Sequence, residues 1–313
     1  MPDDPTRSPY DRRGFLAITT GGVAAAALGL GTAGCSKKEP LSAAIDAGAV
    51  PLAPIRVGVV RVASVKTAVE GNVLPEVIAD FEKRSTYRIE LTPGESVYTW
   101  AREGKADLVV SHYGHREAED FVLDGLGEWP RTIFSNQMAL VGPPGDPAHV
   151  RGLDDAGEAF RRIAASKSKF VLNDIDGVRY LTEVLWHAAG QPERSGWLLD
   201  EGHRKDGAIE RASDMGAYSF WGLTPFLRLH REKSLALEPL VLADPLLQRL
   251  LVSVVVKPSK VAGVNAEGAT ALQAHLLSPA TQARIRSIRY PGDERVCWVP
   301  AGRHNRTAML PKG

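Results

Sequence analysis

Residues 55–83 read IRVGVVRVASVKTAVEGNVLPEVIADFEK and contain two hydrophobic periods, one after the other. The β-branched alternation of residues 55–62 predicts a strand. Apolar residues at three- and four-residue spacing within 71–83 predict an amphipathic helix. A strand, a short turn and a helix form the unit from which helix-covered parallel sheets are built. This stretch therefore indicates the α/β class.

The same alternation continues along the chain, and the Gly-Pro-Pro-Gly-Asp-Pro cluster at 142–147 divides it into two parts. Further strands are predicted at 89–92, 106–111, 138–141, 170–172, 216–220 and 250–256. Further helices are predicted at 98–102, 117–126, 152–166, 177–189, 207–215, 225–232, 266–277 and 279–287. Strands that alternate with helices predict sheets covered by helices.

The N-terminal segment has the layout of an export signal. Arg12 and Arg13 precede Phe-Leu and an apolar run rich in Ala and Gly, which ends in small residues before Cys35. The run is marginal for a spanning helix, which needs about 20 strongly apolar residues. The paired arginines resemble a twin-arginine signal, and Leu-Gly-Thr-Ala-Gly-Cys at 30–35 resembles a bacterial lipobox.

We therefore expect residues 1–34 to be a signal peptide and Cys35 to be the lipidated first residue of the mature chain. Residues 35–54, rich in Pro, Ala, Gly and Ser, are expected to form a tether. The alternative is an uncleaved N-terminal anchor in which Cys35 has no role. Both interpretations put the rest of the chain outside the cytoplasmic membrane.

Composition excludes several classes of function. The 313 residues suffice for two packed domains, and 38 Lys plus Arg against 37 Asp plus Glu give a net charge of +1. This near-neutral balance argues against a nucleic-acid partner, which usually requires a basic excess. Two cysteines, Cys35 and Cys297, exclude a disulfide framework and a four-cysteine zinc site.

Motifs of catalysis are also missing from the sequence. It contains no HExxH, no paired CxxC, no G-x-S-x-G and no P-loop, so we expect no enzyme and no cofactor. His112 and His115 have the nearest approach to metal-ligand spacing, but no further His or Cys supports them, and a surface pair is the alternative. Cys297 with His304 is a conceivable nucleophile pair, and Cys297 is otherwise a small buried apolar residue.

Two strand-to-helix turns are the candidate ligand-binding elements, at 63–68 and 173–179. Ligands of open α/β sheets bind beyond the carboxyl ends of strands, and a helix N-terminus attracts an anion through its free N–H groups and its dipole. The alternative for each turn is ordinary capping by Ser64, Thr67 and Asp176. The candidate ligand-binding residues are Ser64, Lys66, Thr67, Asn173, Gly177 and Arg179.

An ordered series of motifs extends over about 56–290. It includes Gly-Lys-Ala-Asp-Leu-Val-Val-Ser-His at 104–112, Asn-Gln-Met-Ala-Leu-Val-Gly-Pro at 136–143, Asp-Pro-Ala at 146–148, Gly-Ala-Tyr at 216–218 and Ser-Pro-Ala-Thr-Gln at 278–282. The series resembles the extracytoplasmic solute-binding proteins of ABC importers, specifically their tungstate-binding (TupA-like) branch.

The resemblance implies a two-lobed, type II-like periplasmic-binding-protein clamshell, with mixed sheets flanked by helices and two hinge crossings. Lobe 1 is expected at 55–140 plus 252–300, lobe 2 at 141–251, and a C-terminal tail at 301–313. The implied ligand is a small molecule or oxyanion (tungstate- or molybdate-like) and the implied partner an ABC permease. A monomer at the periplasm or cell surface is expected, anchored by lipid and exported by the twin-arginine or Sec route.

The chain departs from the family pattern in both turns. The family's hydroxyl-rich first loop corresponds to Ser-Val-Lys-Thr-Ala at 64–68, and its second-lobe arginine is missing from 172–178, where Asp176 replaces a serine. Two like charges 4 Å apart repel by roughly 4 kcal/mol at an effective dielectric of 20. Asp174 and Asp176 would therefore disfavour a dianion unless Lys66 or Arg179 compensates.

Two alternatives to a transport receptor stay open at this point. One is a clamshell that has lost oxyanion binding and serves as a sensor or scaffold. The other is an enzyme on the same fold, with Cys297 or a histidine as nucleophile.

Overall fold

The computed structural model describes residues 58–114 and 116–300. In chain order the strands are β1 (Gly58–Ser64), β2 (Tyr87–Pro93), β3 (Leu108–His112), β4 (Arg131–Gly142), β5 (Phe170–Val171), β6 (Leu198–Leu199), β7 (Ser219–Gly222), β8 (Glu238–Val241), β9 (Gln248–Val255) and β10 (Trp298–Pro300). The helices are α1 (Lys66–Glu70), α2 (Val73–Arg84), α3 (Val97–Arg102), α4 (Arg116–Leu123), α5 (Ala156–Ala165), α6 (Asp176–Ala188), α7 (Asp206–Met215), α8 (Leu223–Lys233), α9 (Ala266–Leu276) and α10 (Pro279–Ile285), with a 3-10 turn at Pro245–Leu247. The predicted α/β class with mixed sheets is confirmed.

The predicted strands and helices are present with shifts of a few residues at their ends, except that the strand predicted at 138–141 is only the last part of β4, whose residues 131–137 were not predicted. α2, for example, begins at Val73 because Asn72 adopts a left-handed conformation with φ 65°, and it buries one apolar face against the sheet. Short elements were not predicted from the sequence: α1, β6, β8 and β10. They hold too few residues to show a hydrophobic period.

A mixed sheet organises the described residues, with strand order β10-β4-β9-β3-β1-β2. β1 pairs in parallel with β2 and β3, whereas β9 pairs antiparallel with both β3 and β4. β5 and β6 form a separate parallel pair. Long antiparallel strands therefore occupy the centre of the large sheet.

Strand β4 changes partners along its length. Its first part pairs with β9 and β10, and its last part, from Met138 onward, pairs with β7 and β8. One continuous strand thereby links the sheet of β1–β3 to the strands that follow the 142–147 turn cluster. This is the connectivity expected of a hinge crossing.

Two of the motif segments meet in a buried hydrogen-bonded group. The Tyr218 hydroxyl donates to Asp146 Oδ1 at 2.8 Å and accepts from the Ala148 N–H at 3.0 Å. The Arg151 N–H donates to Asp146 Oδ2 at 2.8 Å. Burial alone would raise the pKa of Asp146, but these hydrogen bonds outweigh it and lower that pKa below its ordinary value.

The Asp146→Asn variant tests the consequence for stability. A native pKa below the unfolded value of about 3.9 means that the ionised carboxylate stabilises the fold above that pH, and that this contribution is lost as the pH falls through the native pKa. We expect the variant to be less stable than the wild type at pH 7 and to lose less stability on acidification. Urea midpoints at pH 7 and pH 3 measure this. If the urea midpoints of variant and wild type differed by the same amount at pH 7 and at pH 3, the stabilising role of the ionised carboxylate would be contradicted.

Within the described residues, none of the helices combines the length and hydropathy needed to cross a bilayer. Several sequence predictions fall outside those residues: the signal peptide at 1–34, Cys35, the whole tether at 35–54, His115, His304 and the tail at 301–313.

Candidate functional site

The first predicted turn is largely regular structure. Ser64 is the last residue of β1 and is fully buried, and its hydroxyl donates to the Val65 carbonyl at 3.1 Å. Lys66 and Thr67 begin α1 instead of lying in a loop. Val65 is the N-cap, and no side chain caps this helix, so the capping alternative for Ser64 and Thr67 is wrong. A helix of five residues is also too short to act as an anion site by itself.

Lys66 is exposed and lies close to Glu95, which follows β2. A side-chain hydrogen bond from Lys205, followed by the charges of Lys205 and Lys66, lowers the pKa of Glu95 despite partial desolvation. The Glu95–Lys205 ion pair, at 2.5 Å, connects the segment after β2 with the segment that precedes α7.

Asn173 is fully buried, and both ends of its amide are used. Its Oδ1 accepts from the Lys205 N–H at 2.8 Å, and its Nδ2 donates to the Lys205 carbonyl at 3.2 Å. Lys205 has φ 50°, so these bonds stabilise a backbone conformation that is unfavourable for lysine. Asn173 thus positions Lys205 opposite Glu95. Through Lys205 and Glu95, the second turn is therefore linked to a segment that lies close to Lys66 of the first turn.

Arg179 forms ion pairs with two carboxylates. Its Nε donates to Asp174 at 2.8 Å, and its two terminal nitrogens donate to both oxygens of Asp200 at 2.9 and 2.8 Å. The hydrogen bonds to Asp200 and Asp174 raise the pKa of Arg179. Arg179 therefore neutralises Asp174, which removes part of the repulsion expected toward an anion. It does not present a free guanidinium.

Gly177, in the first turn of α6, contacts an arginine that sequence reasoning missed. A Cβ built on Gly177 would lie 2.7 Å from Nη2, 3.1 Å from Nη1 and 3.3 Å from Cζ of Arg249. Only glycine leaves room for a guanidinium at this distance. Arg249 belongs to β9, far from this turn in sequence, and the available signal was its position just before the predicted strand 250–256.

The Arg249 guanidinium has no hydrogen-bond or ion-pair partner among residues 58–114 and 116–300. Desolvation lowers its pKa below the ordinary value, and no nearby carboxylate offsets this. The N-cap of α6 is Ile175, without a side-chain hydrogen bond, so the capping alternative for Asp176 is also wrong. In the same part of the chain, the N–H groups of Asp176 and Gly177 have no acceptor.

Asn136 is the cross-strand partner of Arg249 in the antiparallel pair of β4 and β9. Directly opposite residues place their side chains on the same face of a sheet, with Cβ atoms about 4.5–5.5 Å apart. Asn136 is 3% exposed, and its Oδ1 has no hydrogen-bond partner in the described part of the chain. The buried amide of Asn136 and the unpaired guanidinium of Arg249 therefore lie on neighbouring strands, on the same face of the sheet.

Cys297 is unsuited to nucleophilic catalysis. It is fully buried, and burial raises the pKa of its thiol to about 11, so the reactive thiolate is scarce at neutral pH. Among the residues described, no group of three or more His, Cys, Asp or Glu side chains has a metal-binding arrangement. The alternative with Cys297 as nucleophile is not supported.

A cavity of about 760 Å³ lies elsewhere, between α8 and residues 290–295. None of the candidate ligand-binding residues lines it. Its Arg231 is already bonded to the Pro291 carbonyl at 2.9 Å and the Tyr290 hydroxyl at 3.2 Å. Its Arg295 pairs with Asp293 at 2.9 Å, whereas the buried His230 Nδ1 has no hydrogen-bond partner among the described residues. Its volume alone does not make it the ligand site.

The sequence and the fold have relatives among known proteins. A family model described as bacterial extracellular solute-binding protein matches residues 64–201. A putative ABC transporter anion-binding protein of Haloferax volcanii is 29% identical over 222 residues, covering 68% of this chain and 64% of the relative. The tungstate-binding protein TupA of Peptoclostridium acidaminophilum is 28% identical over 187 residues, covering 59% of this chain and 64% of the relative.

Among solved structures, the tungstate-binding protein TupA from Desulfovibrio alaskensis G20 superposes with a TM-score of 0.67 and 22% identity, covering 78% of this chain and 99% of that one. This likeness confirms the two-lobed periplasmic-binding-protein fold. The chain spans 64% of the length of the two curated relatives. Over residues 64–201 the chain is similar to bacterial extracellular solute-binding proteins, and over 187 residues it is similar to TupA.

Proposed function

We propose that this protein is an extracytoplasmic receptor that captures a small oxyanion between two lobes and delivers it to an ABC importer. The observation that carries the proposal is the link from Asn173 through Lys205 to Glu95, which draws the second strand-to-helix turn toward the first. The printed descriptions of the relatives, anion-binding and tungstate-binding, favour an oxyanion of the tungstate or molybdate class.

Such a receptor needs no bond-making chemistry. Its affinity comes from replacing the water around an anion with donors that are already in position. The described residues supply suitable donors at the start of α6, where the N–H groups of Asp176 and Gly177 are free and the helix dipole favours negative charge. The pairing of Asp174 with Arg179 lowers the electrostatic cost of an anion there.

The N-terminal motifs support an export signal and a lipid anchor at Cys35, which would hold the receptor at the membrane surface beside a permease. Membrane fractionation of a Cys35→Ser variant tests this part. The sensor or scaffold alternative has no structural observation of its own.

Ligand binding is tested by thermal unfolding and calorimetry of the purified full chain with molybdate, tungstate, sulfate and phosphate, each added alone. A true ligand at 100 times its Kd stabilises the native state by about 2.7 kcal/mol. We expect a stabilisation of this size for at least one of the four anions, and saturable heat in calorimetry. If none of them shifts the transition, the oxyanion proposal is wrong.

A further inference from the structure

The second turn of this chain lacks the arginine that the family pattern places there, and each of the three guanidinium nitrogens of Arg179 already donates to Asp174 or Asp200. Within the described residues, Arg249 is an arginine at this turn that has no partner. We propose that Arg249, brought in by strand β9, is the cationic ligand-binding residue for a tetrahedral oxyanion, assisted by the first-turn N–H groups of α6 and the amide of Asn136. This inference rests on the proposed function.

The first support is steric. The guanidinium lies against the backbone of Gly177, so closely that a Cβ there would come within 2.7 Å of Nη2. The same turn carries the free N–H groups of Asp176 and Gly177. An anion held by these N–H groups is therefore within reach of the arginine. Because Gly177 has no Cβ, the guanidinium can approach the backbone of this turn.

The second support is electrostatic. A guanidinium has five N–H donors, and buried charges in proteins are normally paired. Arg249 is partly buried, yet no carboxylate of the described residues lies within ion-pair distance. Asp174 and Asp200, the two acids bonded to Arg179, pair with that arginine instead. The missing partner of the Arg249 guanidinium is therefore an anion that the described residues do not supply.

The third support is the buried amide of Asn136, which is 3% exposed and shares the Arg249 face of the β4–β9 pair. Its Oδ1 has no partner among the residues described. An amide presents either its oxygen or its NH₂ group to a neighbour, so Asn136 can donate to an anion oxygen or orient the guanidinium. An unpaired buried amide costs stability unless a ligand uses it.

The chemistry of these donors selects the ligand class. The planar guanidinium fork binds two oxygens of one anion, and backbone N–H groups bind further oxygens on its other side. Several donors that converge from different directions suit a tetrahedral anion such as molybdate, tungstate or sulfate.

The test compares variants of the full chain by calorimetry with the anion that the wild-type chain binds. We expect Arg249→Met to weaken binding at least 100-fold and Arg249→Lys to weaken it less, because a lysine keeps the charge but not the fork. Arg84→Met is the matched control, since the exposed Arg84 pairs with Asp80 within α2. It should change affinity less than threefold.

Gly177→Ala is a second variant that leaves the charge in place. Alanine favours a helix by up to about 1 kcal/mol over glycine, so this variant should fold at least as well as the wild type. We still expect at least tenfold weaker binding, because the new Cβ displaces the guanidinium. Arg249→Met without ligand should be no less stable than the wild type, since it removes an unpaired charge.

The possible outcomes separate the two proposals. Wild-type binding that survives in both Arg249→Met and Gly177→Ala within threefold overturns the role of Arg249 and leaves the proposed function standing. A ligand-free Arg249→Met variant that unfolds well below the wild type also overturns it, because Arg249 would then be structural. Binding of none of the four anions by the wild-type chain overturns both.

Discussion

Trp298→Ala is expected to lower the free energy of unfolding by about 4 kcal/mol, within the range of large-to-small substitutions of buried aromatics. Trp298 is fully buried on β10, and its ring packs edge-on against Phe134 with centroids 5.3 Å apart. Its indole N–H donates to the Gly71 carbonyl at 2.8 Å. The substitution leaves a cavity and an unpaired buried carbonyl at once.

Urea unfolding followed by far-UV circular dichroism measures this effect. Trp129→Ala is the matched control: Trp129 is 76% exposed, so its removal should change the free energy by less than about 0.5 kcal/mol. A loss below about 1 kcal/mol for Trp298→Ala would contradict the packing described here. Since Gly71 ends α1, we also expect the variant to disturb Lys66 and Thr67.

Asp107→Ala is expected to cost about 3 kcal/mol of stability. Asp107 is fully buried and accepts from Arg61 Nη2 at 2.5 Å and Nε at 3.1 Å. It also accepts from the backbone N–H groups of Arg61 at 2.7 Å and Asn265 at 2.9 Å. Removing one partner of a buried ion pair typically costs about 3–5 kcal/mol, and the partial exposure of Arg61 favours the low end.

A double-mutant cycle with Arg61→Met isolates the pair from the two backbone hydrogen bonds. Asp124→Ala serves as control, because the Asp124–Arg102 pair is exposed, with side-chain accessibilities of 54% and 38%. Exposed pairs contribute about 0–1 kcal/mol. If Asp107→Ala and Asp124→Ala lowered the free energy of unfolding equally, the buried ion pair would stabilise the protein no more than the exposed one.

These residues bear on how the motifs of the family are interpreted. Asp107 lies in the 104–112 motif, and Asp146 and Tyr218 lie in two others, yet all three make hydrogen bonds inside the protein. The motifs that made the family recognisable thus include residues that stabilise the fold. The ligand-binding residues proposed here, Arg249 and Asn136, were not among the candidates from the sequence.

Most of the fold was predictable because helices and strands depend on local periodicity. α2 and β9 were both found from their apolar patterns, whereas β6, with two residues, carried no such pattern. The two turns of the candidate site were also located from the sequence. Their side-chain roles were not, since the partners of Asn173 and Arg179 come from Lys205 and Asp200.

The sequence by itself determined the α/β class, the order of the main elements and the resemblance to tungstate-binding solute-binding proteins, because these depend on near-neighbour patterns and ordered motifs. It also established that the second turn lacks the expected arginine. Only the tertiary structure decided which arginine reaches that turn. The register of β9 against β4 places Arg249 opposite Asn136, and Gly177 leaves room for its guanidinium. Strand pairing joins residues distant along the chain, so no local pattern could have identified this contact.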